Sequence, residues 1–586
     1  MKIIKNNYKY LFYSILTTFS LYKYFFLYLN DKLALLINIL LIIILFIFYK
    51  KLYKDNKINL GYKIFIIVMS FIFVLGYSYQ MTSTGKLFYE GFINFFTSLI
   101  KVVGYYYFFK TLIYYFDLFM HKEYISNFKF LDKFKKHPFL YSFIFLSICY
   151  GIFLILYYPG IINYDNANQI KEMLGLHTRY LDAINPISNS TLTNFNPIVH
   201  TFMLGGLFKL GYLMGNVNFG LFLYTFIQML IVISIYSYII NYSVRSKIKP
   251  IYSYIILLIL GIIPLFGYYS ITAVKDTLYT AFLLLFTLKI YHFIDNEVLK
   301  IKDYISLFII SLLVCLFRNN GFYIVVISIP FLLYKRIKLP IIIVLLLTIS
   351  SYLSFNNILL PKLGISGTSI RETLSIPFQQ TARYVKYYEE ELTSENKRII
   401  ASILDYDNLK NDYNEDLADP VKNKFNKDAT NDDLVKYFEV WLNGLLKHPL
   451  VYIDATINNI TGYFYPFDNS WKVYHKLNPK LSEAGFDYHY NELNVLRKVM
   501  HGYEKVIEYS PFGLILNIAV ITWISILLFI MILNKDKYYI FLIPNIISIF
   551  FCVLSPANTY YRYIYPSLLI MVCMFPFIKN IVEKKK

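Results

Sequence analysis

The chain has 586 residues, 57% hydrophobic, 19% aromatic and only 16% charged, a composition that excludes an ordinary soluble domain and suits a lipid bilayer. A formal charge of +20 invites a nucleic-acid reading, but its distribution excludes one. Residues 359–510 hold 18 Lys and Arg against 22 Asp and Glu, so the whole excess lies elsewhere, in short loops that positive-inside retention explains.

Taken in order, Lys2, Lys5 and Lys9 precede an apolar run from Tyr10 to Leu29 with no small-residue cleavage site after it, which predicts a retained first span. Lys23 within that run requires snorkelling to an interface. Further spans are predicted near Leu33–Tyr49, Tyr62–Tyr79, Phe92–Phe116 and Pro138–Tyr158. Basic loops containing Lys50, Lys51, Lys54 and Lys57, then Lys122, Lys129, Lys133, Lys135 and Lys136, alternate with the sparse turn from Gln80 to Glu90. That alternation puts the amino terminus in the cytoplasm and Pro159 to Asn196 on the outer face.

Ile198 to Met214 is long enough to be considered a span. If it crossed, Arg245, Lys247, Lys249, Lys335, Arg336, Lys338, Lys535, Lys537 and the terminal lysines would all face outward. A helix along the outer interface restores the rule for every later loop. Spans then follow near Asn218–Ile240, Ile251–Tyr269, Thr277–Ile294, Tyr304–Phe317, Gly321–Tyr334, Pro340–Ile358, Phe512–Leu533, Tyr538–Leu554 and Tyr561–Ile578. The expected fold is an all-α polytopic membrane protein of about 14 spans with both termini cytoplasmic.

Four parts are expected: an amino-terminal four-span module, 1–137; a membrane core, 138–358, with an outer loop at 159–217; a mostly helical extracytoplasmic domain, 359–510; and three carboxyl-terminal spans with a basic tail, 511–586. In the third part, Thr430-Asn-Asp-Asp433 reads as a helix start and His448-Pro449 as its break, while Trp441 and Trp471 supply core. Cys149, Cys315, Cys552 and Cys573 fall inside apolar runs at no ligand spacing, implying neither a disulfide framework nor a zinc site.

The residues that could carry chemistry gather at predicted outer ends. Asp165 follows the Pro159-Gly160 turn and would share a helical face with Gln169. Partial shielding from water would raise its pKa and suit a general base; a cap or surface acid is the plainer reading. His200 opens the interfacial helix and could bond a phosphate or hydroxyl, although a lone His is commonly a satisfied polar residue. Lys275-Asp276, Arg318 and Arg562 place three cations on the side of Asp165, against the positive-inside bias. A diphosphate or lipid phosphate would explain them; mutual pairing, such as Lys275 with Asp276, would also.

The segments YPGIINYDNANQ, NPIVHT, AVKDTLYT, FRNNG, IPFQQTARYV, DLADPVKNKF and YYRYIYP resemble those of an uncharacterised bacterial multi-pass family with a GT-C-like fold, over roughly Phe139 to Pro566. The wider pattern resembles the GT-C superfamily of membrane glycosyltransferases, which use polyprenyl-phosphate sugars. In the closer family the second motif usually begins with His, where this chain has Asn196, so no paired-His metal site carries over. The resemblance implies inverting transfer of a sugar to a cell-envelope glycan, lipid or protein at the outer face of a bacterial plasma membrane. Asp165 would be the catalytic base, and Gln169, His200, Lys275, Asp276, Arg318 and Arg562 would be substrate-binding neighbours. Gln379, Gln380 and Arg383 would shape the acceptor cleft. No cofactor is specified; a divalent cation could assist, without a clear ligand set. Two other classes fit parts of the pattern: a transporter or flippase of lipid-linked saccharide, and a sensor or scaffold in which Asp165 is structural.

Overall fold

The computed structural model describes residues 2–26, 31–53, 58–123, 129–334, 338–467, 491–555 and 557–584. Lys54, Lys57, Lys335, Arg336, Trp471 and the last two lysines lie outside them. Among the described residues the chain is all-α, with isolated β-bridges and no strand. Among the described residues eight helices are long and apolar enough to cross a membrane, or nine if one bent pair counts as a span. The protein is therefore a polytopic helical membrane protein, as its hydropathy predicts. Shorter apolar helices, Ile198–Leu213, Asn319–Tyr334, Ile518–Ile532 and Tyr538–Val553, cover further predicted spans and the predicted interfacial helix.

Two helices form the centre. Lys275–Asp295 and Tyr561–Glu583 have 72% and 89% of their apolar stretches buried, against 11% for Leu35–Leu52. These enclosed helices carry Lys275 and Arg562 at their first turns, so the bundle itself fixes where both cations stand.

The predicted single span Ile251–Tyr269 is two helices, Pro250–Ile262 and Pro264–Ile271, bent by 66°. Ile263 is extended, with φ −74° and ψ 116°, because the residue before a proline is pushed out of the helical region. The bend carries the chain onto the loop that follows helix Pro138–Leu156, where Ile161 N donates to the Ile271 carbonyl (3.1 Å) and Ala273 N to that of Ile161 (2.8 Å). Gly160 makes the preceding turn at φ +134°, and a Cβ there would meet Thr225 Cγ2 at 2.4 Å. Only glycine fits both restrictions.

The first helices pack on one another and on the body. Helix Lys2–Phe26 meets Phe92–His121 at Gly104, where a Cβ would strike the Leu16 carbonyl. The ammonium of Lys579, fully buried, donates to the carbonyls of Phe119, Met120 and Lys122 at 2.7 to 2.9 Å, capping the carboxyl end of Phe92–His121. Phe65 packs edge-on to Trp523, with ring centres 5.5 Å apart.

Residues 374–452 contain a second hydrophobic core, separate from that of the bundle, around Phe378, Val385, Ile400, Leu409 and Tyr437. Thr430 caps Asn431–Lys447 with a reciprocal bond to Asp433, and Pro449–Ile460 begins after His448. Trp441 packs against this core and donates from its indole to Gln380 at 3.0 Å.

Candidate functional site

Asp165 lies on a ten-residue helix, Tyr164–Met173, whose amino end is capped by Asn163 rather than by Asp165. Its carboxylate is thereby left for tertiary partners. Arg562 Nη1 approaches Oδ2 at 2.6 Å and Lys275 Nζ stands 3.9 Å from the same oxygen. Tyr180 donates to Oδ1 at 3.3 Å. Lys275 also donates to Asn196 Oδ1, and Asn196 Nδ2 donates to the Tyr180 hydroxyl. Four chain segments thus converge on one carboxylate.

Arg318 joins through aromatic contacts and a second acid. Its guanidinium stands 5.0 Å from the centre of the Tyr563 ring and that of Arg562 at 5.2 Å, so one ring serves both cations. Arg318 Nη1 lies 2.9 Å from Asp276 Oδ1, and the Asp276 side chain is fully buried. Lys275, Arg318 and Arg562 give three positive charges against the two of Asp165 and Asp276. The cluster is therefore net positive before exposed Arg179, whose charge also acts on Asp165, is added. A net-positive cluster at a bundle end is suited to an anion.

The expected rise in the pKa of Asp165 does not hold. Burial alone would push the carboxyl up, but the Arg562 and Lys275 charges together outweigh it and hold the group below the usual carboxylate range. In the resting protein Asp165 is an ionised, neutralised acid, which makes it a weak base.

His200, Gln169 and Thr201 form a satisfied layer behind the cluster. His200 Nε2 is 2.7 Å from the Tyr224 hydroxyl and Nδ1 is 3.0 Å from Gln169 Oε1. Gln169 Nε2 donates to Thr201 at 2.9 Å. All three side chains are fully buried. Tyr224 and Gln228 extend the layer to the carbonyls of Ser270 and Thr272. His200 therefore holds helices together, and the plainer reading of a lone histidine describes its contacts.

Gln380 and Arg383 bond elsewhere. Gln380 donates to Thr456 (2.9 Å) and accepts from Trp441. Arg383, 2% exposed, donates to the Ser83 carbonyl (2.7 Å) and the Tyr413 hydroxyl (2.8 Å), and lies 3.7 Å from Asp454. Asp454 accepts from Tyr79 at 2.6 Å. Gln379 donates to the Asn414 carbonyl. The contacts with Ser83 and Tyr79 seat residues 374–467 on the carboxyl end of helix Leu60–Thr82.

Residues that sequence reasoning passed over are Tyr180, Asn196, Tyr563 and Glu172. Asn196 was visible only as a departure from a motif, and Tyr563 only as one tyrosine among several in YYRYIYP. Glu172 is buried and accepts from Thr193 at 2.6 Å. Burial pushes its carboxyl up to about 8, with the Thr193 bonds opposing. A raised folded pKa means a protonated group in the native state and an ionised one in the unfolded chain. Stability is thus full below the unfolded value and falls as pH rises to about 8. Glu172→Gln is expected to flatten that decline, measured as melting temperature against pH in detergent.

Among the described residues no three His, Cys, Asp or Glu side chains gather as a metal-binding group. A family model described as "Family of unknown function (DUF6020)" matches residues 63–586. The match begins inside the first four-span segment, so it takes in helices Leu60–Thr82 and Phe92–His121 as well as the region from Phe139 onward. No curated protein and no solved structure matches.

Proposed function

We propose that this chain, which belongs to the DUF6020 family of unknown function, is a membrane glycosyltransferase of GT-C type. It would move a sugar from a polyprenyl-phosphate donor to a hydroxyl on a cell-envelope acceptor. The observation that carries the reading is the meeting of Asp165 with Arg562 and Lys275, beside Arg318, in one net-positive cluster. In this reading the basic loops lie in the cytoplasm of a bacterial plasma membrane and the chain crosses about 14 times. The cluster and residues 359–510 face outward.

The donor's phosphate competes with Asp165 for Arg562 and Lys275. On binding it takes those cations, and the carboxylate, still shielded from water, loses the charges that depressed its basicity. Asp165 then accepts the proton of the acceptor hydroxyl as that oxygen bonds to the anomeric carbon. The bond from this carbon to the phosphate oxygen breaks, and its electron pair stays on the phosphate, held by Arg562, Lys275 and Arg318. Attack opposite the leaving phosphate inverts the anomeric centre. Asn196 and Tyr180 position Lys275 and Asp165, and His200 with Gln169 steadies the helices behind them.

The test uses the full chain in vesicles with a mixed pool of polyprenyl-phosphate sugars and an envelope extract. Release of free polyprenyl phosphate together with a new glycan is expected. Movement of intact donor across the bilayer with no release would replace this reading with the flippase.

A further inference from the structure

At the opposite end of the two central helices lies a cavity of about 480 Å³ between Tyr242, Lys289, His292, Lys300, Lys302 and Asp303. Lys289 and His292 follow Lys275 by 14 and 17 positions on one helix, so the cavity stands about 20 to 25 Å from the Asp165 cluster. None of its residues takes part in the chemistry proposed there.

Its charges are unequal. Lys289, Lys300 and Lys302 face the single carboxylate of Asp303, which is already engaged twice. His292 Nε2 lies 3.2 Å from Asp303 Oδ1, and the Lys300 backbone N–H donates to Oδ2 at 2.9 Å. The Lys289 ammonium, only 15% exposed, stands 4.0 Å from Asp303, beyond hydrogen-bond reach. It makes no side-chain hydrogen bond among the described residues. Lys300 and Lys302 are exposed at the rim, and Tyr242 offers a hydroxyl 2.9 Å from His292 Nδ1. A largely buried ammonium lining an open cavity with two further ammonium groups at its mouth is the chemistry that captures a phosphate. The same end carries Arg245, Lys247, Lys249, Lys535 and Lys537, the basic loops that meet an anionic membrane surface.

The geometry points to a phosphate-binding site in this cavity, filled by the headgroup of an anionic membrane lipid or by a soluble phosphate. Lys289 grips the phosphate, while Lys300 and Lys302 close over it. The inference stands apart from the chemistry at Asp165, and either can fail alone.

Full-length protein purified from detergent is exposed to phosphatidylglycerol or net-neutral phosphatidylcholine, with or without inorganic phosphate, and retained lipid is read by native mass spectrometry. Retention of phosphatidylglycerol over phosphatidylcholine, undisturbed by inorganic phosphate, identifies a headgroup. Displacement by inorganic phosphate identifies a soluble ligand. In both cases each lysine replaced by Gln among Lys289, Lys300 and Lys302 is expected to weaken binding about fivefold. Asp303→Asn, which removes the competing charge, is expected to strengthen it. Equal binding by wild type and the triple variant, or no gain from Asp303→Asn, would overturn the assignment.

Discussion

Asp165→Asn is expected to lower release of free polyprenyl phosphate by a factor of roughly 10² to 10⁴, the usual loss on removing a positioned base. The amide nearly matches the carboxylate in size, so the cluster keeps its shape. Arg562 and Lys275 lose their competitor, so donor binding should hold or tighten. The loss therefore belongs in kcat and not in KM. In the wild type the free protein holds Asp165 ionised well into acid, whereas the complex has its cations drawn to phosphate. The acid limb of kcat should accordingly lie at higher pH than that of kcat/KM, and Asp165→Asn should remove it. Equal turnover by variant and wild type would show that the carboxylate takes no proton.

Arg562→Gln should reduce turnover about 10²- to 10³-fold through weaker support of the departing phosphate, and it should also unsettle the fold. The Asp165 and Arg562 side chains are 17% and 23% exposed, and breaking a buried pair from one side costs about 3 to 5 kcal/mol. Lys275 at 3.9 Å softens the loss towards the lower figure. In Asp165→Asn/Arg562→Gln the stranded charge is gone, so most of the stability should return while activity stays absent. Thermal unfolding of the two single variants and the double variant reads this coupling. Additive losses of stability would mean that the two side chains are not partners.

Much of the helical layout was legible because apolar runs of membrane length admit little else. The break at Pro264 was not foreseen, since the run through it is continuously hydrophobic and proline at a first helical turn disturbs no composition pattern. Lys275 and Arg562 could be picked out because cations at predicted outer ends oppose the loop bias. Asn196 and Tyr180 could not, because an amide and a phenol near turn residues look like ordinary loop. Gln380 and Arg383 were assigned to an acceptor cleft from a polar motif, yet their helix turns those groups into contacts of residues 374–467 and onto Ser83. Sequence also suggested that shielding would make Asp165 basic. Only three-dimensional proximity shows that Arg562, 397 positions away, reverses this.

Residues 359–467 touch chain segments on both sides of the cluster. Asn185 reaches Asp428, Thr193 pairs with Ser366, and Asn558 donates to Asp416 a few positions before Arg562. At the far side the same segment is pinned by Arg383 on Ser83 and Asp454 on Tyr79. Swinging it away would break the bonds of Arg383 to the Ser83 carbonyl and of Tyr79 to Asp454, so the segment is held in place beside the cluster. If the chain is the proposed glycosyltransferase, a segment fixed beside the cluster favours an acceptor with a slender chain end over a bulky folded partner.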